Sequence, residues 1–105
     1  MPSNARNSFE QIPYDQLELV GKDEGDFGTT EYLYRGQLGK YRLRIGQSIT
    51  DNGKVLYFYQ NNKLFLTLFP TRTTKVFVGK DEGGEYYLFR FEGKNVEVFK
   101  RKYDL

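Results

Sequence analysis

Turn-forming residues recur along this chain at intervals of about 8 to 12 residues, and this spacing limits the possible folds more than any other feature. The turn signals are Lys22–Gly25, Gly36–Gly39, Asp51–Gly53, Asn61–Asn62, Pro70–Thr71, Asp81–Gly84 and Gly93–Lys94. Between them lie short runs of Tyr, Phe, Val and Leu, which favour strands. The chain therefore predicts an all-β fold: a single antiparallel meander β-barrel of about eight strands over residues 14–105, after a flexible N-terminal arm of residues 1–13.

The turn at Asn61–Asn62 predicts which face of its hairpin is buried. A two-residue turn there pairs Val55, Tyr57 and Tyr59 with leucines, and we assign this set to the core. The opposite face then carries Leu56, Phe58, Phe65 and Phe69. A barrel buries one face of its sheet, so we predict that these four residues are exposed and bind a protein partner or a second copy of the chain. The alternative is that the faces are reversed or that the arm covers them.

The turn at Asn52–Gly53 conflicts with that assignment. Counting back from it places the apolar residues of the preceding strand, Tyr41 to Ile45, on the face opposite Tyr57. An extra residue in one strand reverses the alternation, and glycine suits such a position. We therefore predict a β-bulge at Gly46.

The last hairpin sets its own register without conflict. A turn at Gly93–Lys94 places Phe91 opposite Val96 and, on the other face, Arg90 opposite Glu97. Because opposite charges meet where the geometry pairs them, we predict this register.

The chain contains no His, no Cys and no Trp. Acid–base catalysis near neutral pH usually recruits His, and zinc sites are built from Cys and His. No Ser lies in a nucleophile motif, and no glycine-rich phosphate loop is present. The acidic turns at Asp23–Asp26 and Asp81–Glu82 lack the ligand spacing of a calcium-binding EF-hand loop. We therefore predict that the protein is not an enzyme and has no catalytic residue, no cofactor and no metal site.

One segment suggests a different function. Three basic residues alternate along one strand and so share a face, namely Lys40, Arg42 and Arg44, and Arg35 lies nearby in the sequence. Together with Tyr32 and Tyr34 they could stack bases and contact phosphates, as single-stranded nucleic-acid-binding barrels do. The alternative is the polar outer face of a half-buried strand, which we favour because solubility alone produces alternating charge on such a strand.

No segment resembles a secretory signal or reaches the roughly 18 apolar residues of a transmembrane helix. We therefore expect no membrane span and a cytoplasmic location. A small apolar ligand inside the barrel is not expected, since the 9 Phe and 9 Tyr provide enough rings to fill the interior of eight strands.

A six-residue sequence occurs twice, as Val20–Gly25 and as Val78–Gly83. Each copy precedes a similar strand, with Leu33–Arg35 after the first and Leu88–Arg90 after the second. Two interpretations remain open: a duplicated half-barrel, or two connections that converged on one favourable turn.

Four segments of the chain share the rhythm of a known module. They are Gly39–Leu43, Asn62–Leu66, Thr74–Val78 and Phe89–Val96. In this pattern about the last two thirds of the chain resembles the small lipocalin-like β-barrel at the C-terminus of some serine β-lactamase-like hydrolases. The resemblance implies a lipocalin or calycin type of barrel and an accessory role in assembly or substrate access, with catalysis in another domain.

Overall fold

The computed structural model describes residues 11–25, 28–47 and 54–101, and within them the chain forms eight antiparallel strands. They are β1 (Gln11–Glu24), β2 (Thr30–Gly36), β3 (Gly39–Gln47), β4 (Lys54–Gln60), β5 (Lys63–Pro70), β6 (Val76–Lys80), β7 (Tyr86–Glu92) and β8 (Asn95–Arg101). Each strand pairs with the next, and β8 pairs with β1, so the meander closes into a barrel. The predicted fold class is confirmed.

The barrel begins slightly earlier in the chain than its predicted boundary. β1 starts at Gln11, and residues 11–13 pair with β8. Residues 1–10 of the predicted arm lie outside the described residues, as does the predicted turn at Asn52–Gly53.

Aromatic rings fill the middle of the barrel. Phe58 and Phe89 are fully buried, with ring centroids 4.7 Å apart. The rings of Tyr34 and Tyr41 each lie 6.0 Å from that of Phe58. These side chains come from β2, β3, β4 and β7, so the core joins strands from both halves of the barrel.

The predicted bulge at Gly46 is wrong. β3 and β4 pair regularly through this residue, with Gly46 opposite Val55. The glycine serves a close approach instead, because a Cβ at this position would overlap the ring of Tyr57. The alternation reverses in the next hairpin, where Tyr59 pairs with Leu64 but Phe58 pairs with Leu66. Phe65 is therefore the extra residue of a bulge.

This bulge overturns most of the predicted partner-binding face. Phe58 and Leu56 point into the core and are 0% and 5% exposed, so their predicted exposure is wrong. Phe65 is half-buried, and its ring packs 5.1 Å from that of Tyr87. Of the four residues, Phe69 is the large exposed one, at 51%. The physical reason is that one extra residue moves the preceding side chains of the hairpin to the other face.

The hairpin at Gly93–Lys94 has its predicted register. Arg90 pairs with Glu97 across β7 and β8, and the two side chains form an ion pair of 2.8 Å. Phe91 pairs with the buried Val96.

The two copies of the repeated sequence lie in hairpins of different register. In the first copy Val20 is a bulge residue, and Gly21 pairs with Leu33 on β2. In the second copy Gly79 pairs with the buried Tyr87 on β7, with no register shift. Identical residues thus occupy different positions relative to the core, which favours two similar turns over a duplicated half-barrel.

A buried carboxylate holds one end of the barrel together. Asp15 on β1 is 9% exposed, and its side chain accepts hydrogen bonds from the backbone N–H groups of Gln37 and Leu38 at 2.9 and 3.1 Å. It also accepts the N–H of Gln16 and the hydroxyl of Tyr41, each at 2.8 Å. Asp15 thereby attaches the turn between β2 and β3 to β1.

Candidate functional site

Apolar side chains form a row across the outer surface of five neighbouring strands. We call this set the outer apolar row: Pro13, Phe99, Leu88, Val78 and Phe69. Each member pairs with the next across a strand boundary, from β1 through β8, β7 and β6 to β5. Phe69 and Pro13 at the two ends are exposed, and the three residues between them are half-buried. The outer surface of a half-buried antiparallel sheet is usually polar, so this row is an exception.

A groove of about 250 Å³ lies on the central part of the row. Val78, Leu88 and Phe99 line it, together with the 41% exposed ring of Tyr86. Apolar side chains therefore line a concave site, which is the usual character of a docking pocket.

Cationic side chains border this groove. The ammonium of Lys80 lies 5.5 Å from the centre of the Tyr86 ring, and the guanidinium of Arg101 lies 5.6 Å from it. Arg90 lies 5.4 Å from the ring of Phe99 while it pairs with Glu97. The rim of the groove thus presents positive charge beside aromatic rings.

The sequence concealed this row because its members are far apart along the chain. Each strand contributes one residue, and only the pairing register aligns them. A signal was present in the sequence, because Val78, Leu88 and Phe99 are all apolar. In each strand the residues before and after them point into the barrel or towards it, so these three lie on the outer face. Without the register, however, each one looked like an isolated apolar residue on a polar face.

The four predicted basic residues share the outer surface of β2 and β3, but they differ in their contacts. Arg35 and Lys40 are exposed and pair directly across the two strands. Among the residues that the structure describes, neither side chain has a carboxylate within the 4.0 Å of an ion pair. These two cations are therefore available to a ligand.

Arg42 and Arg44 are already bound within the protein. Arg42 forms an ion pair of 2.6 Å with Glu31, and hydrogen bonding to that carboxylate raises the pKa of the Arg42 guanidinium. Arg44 donates a hydrogen bond of 2.9 Å to the hydroxyl of Tyr59 and lies 5.7 Å from the ring of Tyr57. Half of the predicted basic set thus stabilises the sheet.

The tyrosines expected beside the basic residues lie elsewhere. Tyr34 is 6% exposed in the core, and the half-buried Tyr32 packs against it. The tyrosines that flank the basic surface are Tyr57 and Tyr59 on β4, which pair with Arg44 and Arg42. The bulge at Phe65 explains why Tyr57 and Tyr59 lie beside the basic residues, since it directs these residues of β4 outward.

A second groove, of about 780 Å³, lies on the basic surface. Its lining includes Arg35, Lys40, Val20 and Leu33, and it also includes Asn61 from the turn between β4 and β5. This turn reaches the groove because Asn61 binds the neighbouring strand: its backbone N–H donates to the carbonyl of Lys40 at 2.8 Å.

Burial changes the acidity of two tyrosines at the end of the barrel near Asp15. The pKa of Tyr41 is raised well above its ordinary value, mainly by burial and secondly by the contact with Asp15. Burial and the nearby Asp81 do the same for Tyr87. Both phenols therefore stay protonated at neutral pH and act as hydrogen-bond donors, to Asp15 and Asp81 respectively.

No group of three His, Cys, Asp or Glu side chains in residues 11–25, 28–47 and 54–101 is placed to hold a metal ion. The same residues contain no helix with the length and apolar character needed to cross a membrane.

Comparisons with known proteins returned no relatives. No protein-family model matches the chain, and neither the curated proteins nor the solved structures contain a match. The resemblance to the barrel module of β-lactamase-like hydrolases therefore stays a prediction.

Proposed function

We propose that this protein is a noncatalytic binding module that docks onto a partner protein through the outer apolar row. One observation carries the proposal: the apolar residues of five strands are aligned by the pairing register on the outer surface. Large contiguous apolar patches on a small protein mark interaction sites far more often than isolated apolar residues do. The residues proposed for contact are those of the row together with Tyr86; they retain Phe69 and replace Leu56, Phe58 and Phe65.

The exposed end of the row offers a sizeable gain on binding. A buried aromatic side chain covers about 150–250 Å², and Phe69 leaves 51% of its surface accessible. At about 25 cal/mol per Å² of apolar surface, covering this ring alone contributes about 2–3 kcal/mol. Few interface residues contribute that much, so Phe69 is suited to anchor a partner.

The charges around the groove indicate the character of the partner. Lys80 and Arg101 lie over Tyr86 at one edge of the apolar row. A complementary surface has an apolar centre and carboxylates along one side. An accessory role in assembly, which the sequence resemblance implies, is compatible with such a surface.

Site-specific photocrosslinking in the native cells tests the proposal. A photoreactive phenylalanine analogue is introduced at Phe69, and in a second protein at Leu88. The matched control carries it at Leu64, which lies on the same strand as Phe69 and is 53% exposed but outside the row. We expect a discrete protein adduct from both row positions and not from the control, with loss of the Phe69 adduct when Leu88→Ser is added.

The folded state of each protein is checked by circular dichroism before crosslinking. Adducts of equal yield at Leu64 and at the row positions would contradict the proposal, because they would show collision without a defined surface. Absence of any adduct at the row positions would contradict it as well. A self-adduct confined to the row would identify the partner as a second copy of the chain.

A further inference from the structure

Two positive charges face each other directly on the side of the barrel away from the apolar row. Arg35 on β2 and Lys40 on β3 are cross-strand partners next to the turn that joins these strands. Like charges in directly opposite positions destabilise a sheet. The described residues provide no ion pair to either cation, although carboxylates occur nearby. A bound anion would remove this repulsion.

The neighbouring carboxylates do not neutralise the pair. Glu18 on β1 is the cross-strand partner of Arg35, but the two side chains are not within ion-pair distance. Glu31 is bound to Arg42 at 2.6 Å. The surface around Arg35 and Lys40 therefore keeps an excess of positive charge.

The groove beside the pair combines three kinds of contact. Arg35 and Lys40 supply charge, and Val20 and Leu33 supply apolar surface. Val20 is 49% exposed because it is the extra residue of the bulge in β1. Asn62 also lines the groove, and its amide can donate and accept hydrogen bonds. The volume of about 780 Å³ lies within the usual range for small-ligand sites.

We propose that this groove binds a nucleotide, with the phosphate between Arg35 and Lys40 and the base against Val20 and Leu33. A nucleotide fits because it combines a compact anion with a flat apolar face and a polar edge, which match the three kinds of contact. The nucleotide can be free or part of a single strand. This site is distinct from the apolar row, since no residue of the row lines the groove. β2 and β3 also lie across the closed barrel from β6 and β7, which carry the centre of the row.

Fluorescence anisotropy of a labelled single-stranded oligothymidylate, measured at several salt concentrations, tests the proposal. The variant combines Arg35→Ser with Lys40→Ser. The control combines Arg72→Ser with Lys54→Ser, which removes the same charges from exposed positions at the other end of the strands. We expect the site variant to bind at least tenfold more weakly at low salt, while the control binds like the unmodified protein.

The salt dependence gives a second prediction. For a single strand, each phosphate contact contributes about 0.7 to the slope of log K against log salt concentration. Because the two cations share one phosphate, removing both should flatten the slope by about 0.7. Equal weakening in the control variant would overturn the proposal, because it would show attraction by net charge alone. Absence of saturable binding to the unmodified protein would overturn it too.

Competition distinguishes the sources of the ligand. Thymidine monophosphate should displace the oligonucleotide at concentrations where inorganic phosphate, at equal ionic strength, does not. Similar affinity for the mononucleotide and the oligonucleotide would support a free nucleotide as the ligand, and much tighter binding of the oligonucleotide would support a single strand. Equal displacement by phosphate would overturn the contact between the base and the apolar residues.

Discussion

Replacing Asp15 with Asn tests whether the buried carboxylate holds the end of the barrel together. One oxygen accepts the backbone N–H groups of Gln16 and Gln37, and the other accepts the N–H of Leu38 and the hydroxyl of Tyr41. The four groups are donors in the structure, whereas an asparagine offers one oxygen and one NH₂ group. The hydroxyl of Tyr41 can turn to accept from that NH₂ group, but a backbone N–H cannot.

The magnitude follows from these contacts. A hydrogen bond to a charged group contributes about 1.5–3 kcal/mol, against about 0.5–1.5 kcal/mol for a neutral one. In its better orientation the asparagine keeps three weakened bonds and leaves the N–H of Leu38 without a protein acceptor. The neutral amide costs less to bury than the carboxylate, which offsets part of the loss. We expect Asp15→Asn to lower the free energy of unfolding by about 2–4 kcal/mol.

Urea unfolding followed by circular dichroism measures this change, and in a domain of this size the Tm should fall by about 10 °C or more. The control is Asp23→Asn on the same strand, whose side chain is 58% exposed. We expect it to change stability by less than about 0.5 kcal/mol. If Asp15→Asn is as mild as the control, the carboxylate does not hold the turn to β1.

Three further perturbations test the packing. In urea unfolding, Phe58→Ala should destabilise the protein by about 3–5 kcal/mol and Phe69→Ala by less than about 2 kcal/mol, because the first ring is 0% and the second 51% exposed. Equal effects would contradict the assignment of Phe58 to the core. The pKa values of Tyr41 and Tyr87 are raised above the unfolded-state value of about 10, so the stabilisation from each tyrosine is fully present below pH 10. Above that pH the free energy of unfolding should fall by up to about 1.4 kcal/mol per pH unit for each tyrosine. In a Tyr→Phe variant this fall should be less steep. Gly36→Ala should cost about 1–3 kcal/mol in thermal unfolding, since its Cβ would overlap the buried carboxylate; an unchanged Tm would show that the turn can shift.

The sequence did not correctly predict which face of β4 is buried. Both faces of this strand carry large apolar side chains, so alternation alone did not identify the core side. The conflict with the preceding strand correctly indicated that one bulge was needed, but the sequence did not show which strand contained it. The bulge lies at Phe65, where the extra ring packs against Tyr14 and Tyr87. That contact joins β5 to β1 and β7, which are distant in the chain.

The candidate surfaces divide in the same way. That Lys40, Arg42 and Arg44 share one outer surface followed from strand alternation, whereas Arg35 joins them through the pairing of β2 with β3. Which of them are free did not, because the acidic partner of Arg42 comes from another strand through the register. Of the outer apolar row, the sequence identified Phe69 alone.

The sequence by itself determined the strand count, the antiparallel meander and the register at Gly93–Lys94, because turn chemistry and the two-residue alternation act over a few neighbouring residues. The tertiary structure decided which face of β4 is buried, where the bulge lies and which residues align on the outer surface. These depend on pairing and packing between strands far apart in the chain, where a shift of one residue exchanges the two faces of a strand.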